Sequence, residues 1–89
     1  MAIFSGQLTV GTAATVIPKT CVMPWTLELH NDDNSDEIYI GPEGVTTTTG
    51  MQLNKLERLE LSLAPLDYLY AVSTKAGHEL SWIAFTRAC

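Results

Sequence analysis

Charge is scarce in this chain, and positive charge scarcer. Of 89 residues five are Lys or Arg and ten are Asp or Glu, so charged side chains make up 17% of the total. An ordinary soluble domain carries about 25%, so less of this surface is covered by charge, and some of it is free to meet another protein. The formal charge is -5, and Lys19, Lys55, Arg58, Lys75 and Arg87 stand singly. No basic cluster exists to release counterions from a phosphate backbone, which argues against a nucleic-acid partner. Long hydrophobic runs are also missing: no apolar stretch approaches the roughly 18 residues that span a bilayer, so no membrane helix is expected. The opening "MAIFSGQLTV" lacks the basic n-region and long apolar core of a signal peptide, which leads to the expectation that the protein is made and kept, at least initially, in the cytosol.

Cysteine is limited to Cys21 and Cys89. Two residues make no disulfide framework, and their separation matches no CxxC metal or redox spacing; a single bridge between them is left open. In "TCVMPW", Cys21 reads as a small apolar filler, and Cys89, the last residue, as a free thiol. Catalytic patterns are lacking as well: there is no HExxH, GxSxG, P-loop or GxGxxG. His30 and His78 fall on different predicted strands or their ends, with no orienting partner beside either. Asp32, Asp33, Asp36 and Glu37 offer oxygen ligands but lack the alternation and glycine of an EF-hand, so they read as a solvated acidic turn. The expectation is a protein that is not an enzyme and needs no cofactor or metal.

What is present is a succession of short extended segments separated by turn signals. "QLTVGTAATVIP" carries β-branched residues around Gly11 and stops at Pro18, and "PWTLELHN" alternates Trp25, Leu27 and Leu29 with Thr26, Glu28 and His30. Period two means one buried face. After the polar "NDDNSDE", "IYIG" sets Ile38 and Ile40 on one face and Tyr39 on the other, completing a strand–loop–strand pattern. Trp25 and Trp82 sit inside alternating strands, where a core position is favoured over a sugar-stacking one. "NKLERLELSLAPLDYL" reads both ways. Leu53, Leu56, Leu59, Leu63 and Leu66 recur at helical spacing, and Asn54 with Glu57 resembles a capping box. Yet Leu59, Leu61 and Leu63 also alternate with Arg58, Glu60 and Ser62, and Pro65 ends the run. The aromatic and β-branched residues on both sides of "TKAGHE" favour strands and a hairpin at Gly77. The resulting expectation is all-β: a small antiparallel β-sandwich or barrel.

Two segments invite contact with other molecules. In "GPEGVTTTTG", stiff β-branched threonines favour an extended backbone without an apolar edge. Extended, Thr46 and Thr48 would share one face and Thr47 and Thr49 the other, either as a plain edge strand or as a contact to a partner. "MAIFSG" places Ile3 and Phe4 ahead of the first convincing strand. Residues 1–6 therefore read as an N-terminal arm on a single domain, 7–89, with Ile3 and Phe4 buried against a neighbouring subunit or an underlying protein floor.

The order "TVGTAATVIP", "TLELHN", "IYIGPEGVTTTTGMQL", "ERLELSLAPLDYLYAVS" resembles a family of small tailed-bacteriophage virion proteins patterned on hYhG, VTTxTG, a leucine-rich strand and DxLYAV. The resemblance covers almost the whole chain and is most specific at Tyr39–Gly41, Val45–Gly50 and Asp67–Val72. Asn54, Lys55 and Leu56 depart from it, standing where the family has a Pro-Gly or other Gly-containing turn. Members are similar to capsid decoration, or head fibre, β-sandwiches. The resemblance implies a minor capsid protein on the virion surface, assembled in the host cytoplasm and bound to the outside of the major capsid protein lattice. It also implies a homo-oligomer, a homotrimer on three-fold positions, consistent with the modest core of so short a chain. The alternative is a host-surface or carbohydrate-binding β-sandwich of the phage head or tail, using Trp25, Tyr39 or the threonine run.

Overall fold

A computed structural model describes residues 2–17, 25–32, 37–64 and 67–86. Along the chain run β1 (Ala2–Val10), β2 (Thr15–Val16), β3 (Trp25–Asn31), β4 (Ile38–Gly41), β5 (Met51–Leu53), β6 (Arg58–Leu63), β7 (Tyr70–Ser73) and β8 (His78–Thr86). They form two four-stranded sheets, β1-β8-β3-β6 (sheet I) and β2-β7-β4-β5 (sheet II), antiparallel throughout. The fold is all-β, as a small sandwich requires, and the described residues contain no helix.

Alternation decides which faces meet. Trp25, Leu27, Leu29 and Asn31 of β3 are all buried and their neighbours half-exposed. Register places Leu29 opposite Trp82 and Leu27 opposite Ala84 on β8, with Leu8 opposite Leu80 on β1, so sheet I offers one apolar face. Ile38 and Ile40 of β4 do the same for sheet II. Leu27, Leu29, Ile38, Leu53 and Leu80 have essentially no exposure; burying each such side chain contributes about 1.5–3 kcal/mol. Trp25 is a core residue and Trp82 packs against the core cluster.

The ambiguous leucine run resolves as strand. Leu59, Leu61 and Leu63 lie opposite Leu29, Leu27 and Trp25, a row of contacts that a helix could not make with a pleated neighbour. The Asn54/Glu57 pair is present as reciprocal bonds, but closes a β-turn: Asn54 N–H donates to Glu57 Oε1 at 2.9 Å, and Glu57 N–H to the Asn54 carbonyl at 3.0 Å. Leu56 occupies the third position of that turn at φ 59°, the left-handed conformation for which the resembled family supplies glycine.

The expected N-terminal arm is corrected by β1. Residues 2–6 continue the strand, paired from Ala2 opposite Thr86 to Gly6 opposite Trp82. The nine-residue β8 extends far enough to give this backbone partners along its whole length. Phe4 accordingly turns inward opposite Ala84, half-buried, and Ile3 turns outward opposite Phe85. Cys21, Cys89, Pro18, Pro65, Leu66, Asp33 and Asp36 lie outside the described residues.

Candidate contact surfaces

The loop joining β4 to β5 begins with a turn, Pro42 to Val45, closed by Val45 N–H donating to the Pro42 carbonyl at 3.0 Å, with Gly44 at φ 82° in the position that demands it. The turn aims Val45 back at sheet II, where it is 4% exposed. Gly41 and Gly50 make room for it: a Cβ at Gly50 would lie 2.8 Å from Tyr39 Cβ and 2.9 Å from Val45 Cγ2, and one at Gly41 would lie 2.8 Å from Val45 Cγ2. Tyr70 of β7 donates its hydroxyl to Glu43 Oε2 at 3.3 Å, tying the turn to the sheet. Val72 lies opposite Tyr39, on the face of sheet II turned away from Ile38 and Ile40, yet is 3% exposed. Both valines are buried outside the main core cluster, so the loop forms a small second core on the outer face of sheet II.

The threonines are not extended, and the expectation of two alternating faces is overturned. Thr46 anchors a compact turn: its carbonyl accepts from Thr49 N–H at 3.2 Å and from Gly50 N–H at 2.9 Å, and its Oγ1 lies 3.0 Å from both Thr48 Oγ1 and Thr49 Oγ1. Thr46 N–H donates to Thr49 Oγ1 at 2.9 Å. The hydroxyls that make threonine polar offer the backbone a local alternative to a sheet ladder, and here that outweighs β-propensity. Thr46, Thr48 and Thr49 are exposed and Thr47 is half-buried.

Beside this turn lies a cleft of about 350 Å³, lined by Thr12, Val45, Thr46, Thr47, Val72, Ser73 and Thr74. Three connections meet there, β1–β2, β4–β5 and β7–β8, and Ser73 N–H donating to the Gly11 carbonyl at 2.8 Å fixes the first against the third. Ser73 Oγ points to the core, 2.9 Å from His78 Nδ1, and the pair is buried at 1% and 5% exposure, out of reach of a substrate.

Sheet I presents a different surface. Its outer face carries Ile3 beside Phe85, then Ile83 beside Glu28, with Ile3 63% and Ile83 39% exposed. Farther along, Asp32 receives hydrogen bonds from His30 on one oxygen and from Ser81 on the other. Partial desolvation pushes the Asp32 carboxyl up, but the Ser81 and His30 hydrogen bonds and the nearby imidazole outweigh it and leave the carboxyl below its ordinary value. Serine here binds the carboxylate and not the imidazole, so this cluster contains no nucleophile–base contact. Arg58 reaches Glu28 at 3.3 Å across the same face. Among the described residues no three His, Cys, Asp or Glu side chains are placed to share a metal ion.

The lateral edges of sheet I are β1 and β6, and no other described strand pairs with their outer sides. Strand β1, "AIFSGQLTV", holds neither a charge nor a proline.

No family model matches the sequence, and no curated protein matches it. The fold does have a solved counterpart, from work on Bacillus endospore appendages described as a family of disulfide-linked pili. It superposes with a TM-score of 0.63 at 15% identity, over 98% of this chain and 87% of that one. At that identity the likeness shows a shared β-sandwich fold.

Of the contact candidates read from the sequence, Thr46 and Thr47 line the cleft and Thr48 and Thr49 complete the turn beside it, whereas Ile3 lies on the outer face of sheet I and Phe4 on its inner face. The structure does not bring the two groups together into one surface. Val45, Val72 and Thr12 were not among the contact candidates, because their role arises from a loop folding back over a sheet.

Proposed function

We propose that this chain is a structural subunit, without catalytic activity, that works by joining copies of itself on the surface of a larger assembly. The observation that carries this reading is β1, a nine-residue edge strand with no charge and no proline. Proteins that stay monomeric blunt such edges with lysine, proline or a bulge, because a row of unpaired N–H and C=O groups is a template for another strand. The strand order supports the same reading. In β1-β8-β3-β6 every neighbour is antiparallel, so β1 and β6 run in opposite directions. The β1 of a second copy in the same orientation therefore meets β6 antiparallel, and the sheet continues.

Such a contact is heterologous: it closes into a ring if the rotation between copies divides a full turn, and otherwise runs on as a filament. The sequence resemblance supports the closed form, a homotrimeric decoration protein seated on the major capsid protein of a tailed bacteriophage. The fold shared with a protein from disulfide-linked pili supports self-assembly in general, and an open filament is the second form.

Light scattering and negative-stain microscopy of the purified chain, with Gln7→Lys in parallel, test the proposal. A trimer or filament lost in the variant supports it, and monomer alone at high micromolar concentration overturns it. On virions, tens to hundreds of copies with three-fold density support the decoration reading; a few copies at the tail overturn it.

A further inference from the structure

We infer that β1 of one copy docks on β6 of the next in a single register, with Gln7 opposite the partner's Glu60; the inference rests on the self-assembly proposed above and specifies its contact. Two backbone bonds at the end of β3 fix which groups the edges expose. Asp32 N–H donates to the Glu79 carbonyl at 3.1 Å and Asn31 N–H to the Glu57 carbonyl at 2.9 Å, each continuing its strand pair by one residue. Residues on the outer face of β3 therefore bond to β8, and those on its inner face to β6, because each residue of an antiparallel ladder turns both its backbone groups to one side. Carried across the sheet, the alternation directs outward the N–H and C=O of Ser5, Gln7 and Thr9 on β1, and of Arg58, Glu60 and Ser62 on β6. All six lie on the outer face, so the two edges match.

The inner face supplies the driving force. Phe4 and Leu8 on β1 and Leu59, Leu61 and Leu63 on β6 face the core yet stay half-buried, whereas Leu27, Leu29 and Leu80 on the strands between have no exposure. Each edge thus ends in an apolar margin partly open to water. Setting Gln7 opposite the partner's Glu60 closes one margin on the other: Phe4 meets the partner's Leu63 and Leu8 the partner's Leu59. The partner's Leu61 falls across Gly6, where the Trp82 ring fills the space over the missing side chain, 3.2–3.3 Å from the position of a Cβ.

On the outer face the same register brings the partner's Arg58 to Thr9, whose hydroxyl donates to the Glu79 carboxylate at 3.0 Å. Opposite charges then face each other. The Arg58 side chain is 70% exposed even with its own Glu28 bridge, so its guanidinium has donors to spare. A two-residue shift one way sets Leu8 against the partner's Glu57, and the other way sets the partner's Glu60 beside Glu79, like against like. A one-residue shift would turn one copy's apolar margin to the outer face.

Gln7 and Glu60 of one chain lie on opposite edges of a four-stranded sheet, so a disulfide between these positions joins two chains. The full-length chain carrying Gln7→Cys with Glu60→Cys, Gln7→Cys with Arg58→Cys, or Gln7→Cys with Ser62→Cys is assembled, mildly oxidised, and its linked peptides identified by mass. The first variant is expected to cross-link far more fully than the other two, since two residues displace the partner position about 7 Å along the strand, past the reach of a disulfide. An equal or greater yield at Arg58 or Ser62, or no linkage in an assembled chain, overturns the register and leaves self-assembly standing; a parent chain that stays monomeric overturns both. In the unsubstituted chain, hydrogen exchange reads the same edges. The amides of Gln7, Thr9, Glu60 and Ser62 are expected to be protected where the chain is assembled and open where it is dilute, while Leu8 and Leu61, bonded within the sheet, stay protected in both. Rapid exchange at Gln7 and Glu60 in the assembled chain overturns the edge pairing.

Discussion

The side-chain amide of Asn31 in β3 donates to the backbone carbonyl of Leu53 in β5 at 3.2 Å, joining sheet I to sheet II at a residue with no solvent exposure. The same nitrogen lies 3.2 Å from the Asn54 carbonyl, and Asn31 N–H donates to the Glu57 carbonyl at 2.9 Å, so one residue holds both ends of the β5–β6 turn. Replacing Asn31 with alanine removes the side-chain donor to the Leu53 carbonyl at a fully buried position, at a cost of about 1–3 kcal/mol, while the Asn54 carbonyl keeps its bond from Glu57 N–H. Asn31→Asp is expected to be worse at neutral pH, because it sets a carboxylate against two carbonyl oxygens. Urea unfolding of both variants measures this; an Asn31→Ala midpoint equal to that of the parent would remove the inter-sheet role.

Leu56 offers the opposite case, a position where substitution stabilises. An L-residue at φ 59° costs about 1–2 kcal/mol relative to the right-handed region, and the side chain is 57% exposed, so little packing offsets it. Leu56→Gly is expected to gain about 0.5–1 kcal/mol after glycine's greater unfolded-state entropy is counted. Leu56→Val, β-branched at the same φ, should lose stability. Thermal melts of the two variants should therefore move in opposite directions from the parent.

Gly50 and Gly11 separate steric demand from mere flexibility. A Cβ at Gly50 meets Tyr39 and Val45 within 2.9 Å and the Thr46 carbonyl at 3.1 Å, whereas one at Gly11 meets nothing within 4 Å. Gly50→Ala is expected to cost about 1–3 kcal/mol by displacing the loop, and to perturb the amides of Thr46 to Thr49. Gly11→Ala should leave both stability and spectrum near the parent's.

Asp32 predicts a direction of pH dependence. Its carboxyl titrates below its ordinary value of 3.8 in the folded chain, so the folded state favours the ionised form. The associated stability is present above the unfolded value and is lost as pH falls through the folded one. Asp32→Asn is expected to be less stable than the parent at neutral pH, with the gap narrowing as the solution is taken below pH 3.8, read from urea midpoints along an acid series. A gap that stays constant over that range would assign the loss to packing.

The sandwich was legible where one face is buried and a simple period follows. "WTLELHN" and "IYIG" announce their inward residues, and the same parity that puts Trp25, Leu27 and Leu29 inside also puts Asn31 there, a signal available in the sequence. The leucines from 53 to 63 satisfied two periods at once, and only the row opposite β3 distinguishes them. Thr46 to Thr49 misled because residue-type preference records an average over environments. Their actual conformation is set by hydroxyl-to-backbone bonds whose geometry depends on the preceding Gly-Pro turn. Val45 and Val72 were opaque for another reason: a valine on the outer face of a strand is buried only when a loop returns over it.

The cleft and the open edges belong to different sheets, and this bears on strength of attachment. Copies joined through β1 and β6 would each keep sheet II uncovered and turn its cleft the same way relative to the common sheet. Any weak contact made by the outer face of sheet II would then be repeated at fixed intervals along a rigid row. Linking contacts in this way raises the overall hold on a repetitive partner by about 10²–10⁴ over the single contact, with no new contact made. The geometry of assembly, more than any residue in the cleft, would set how firmly such a surface adheres.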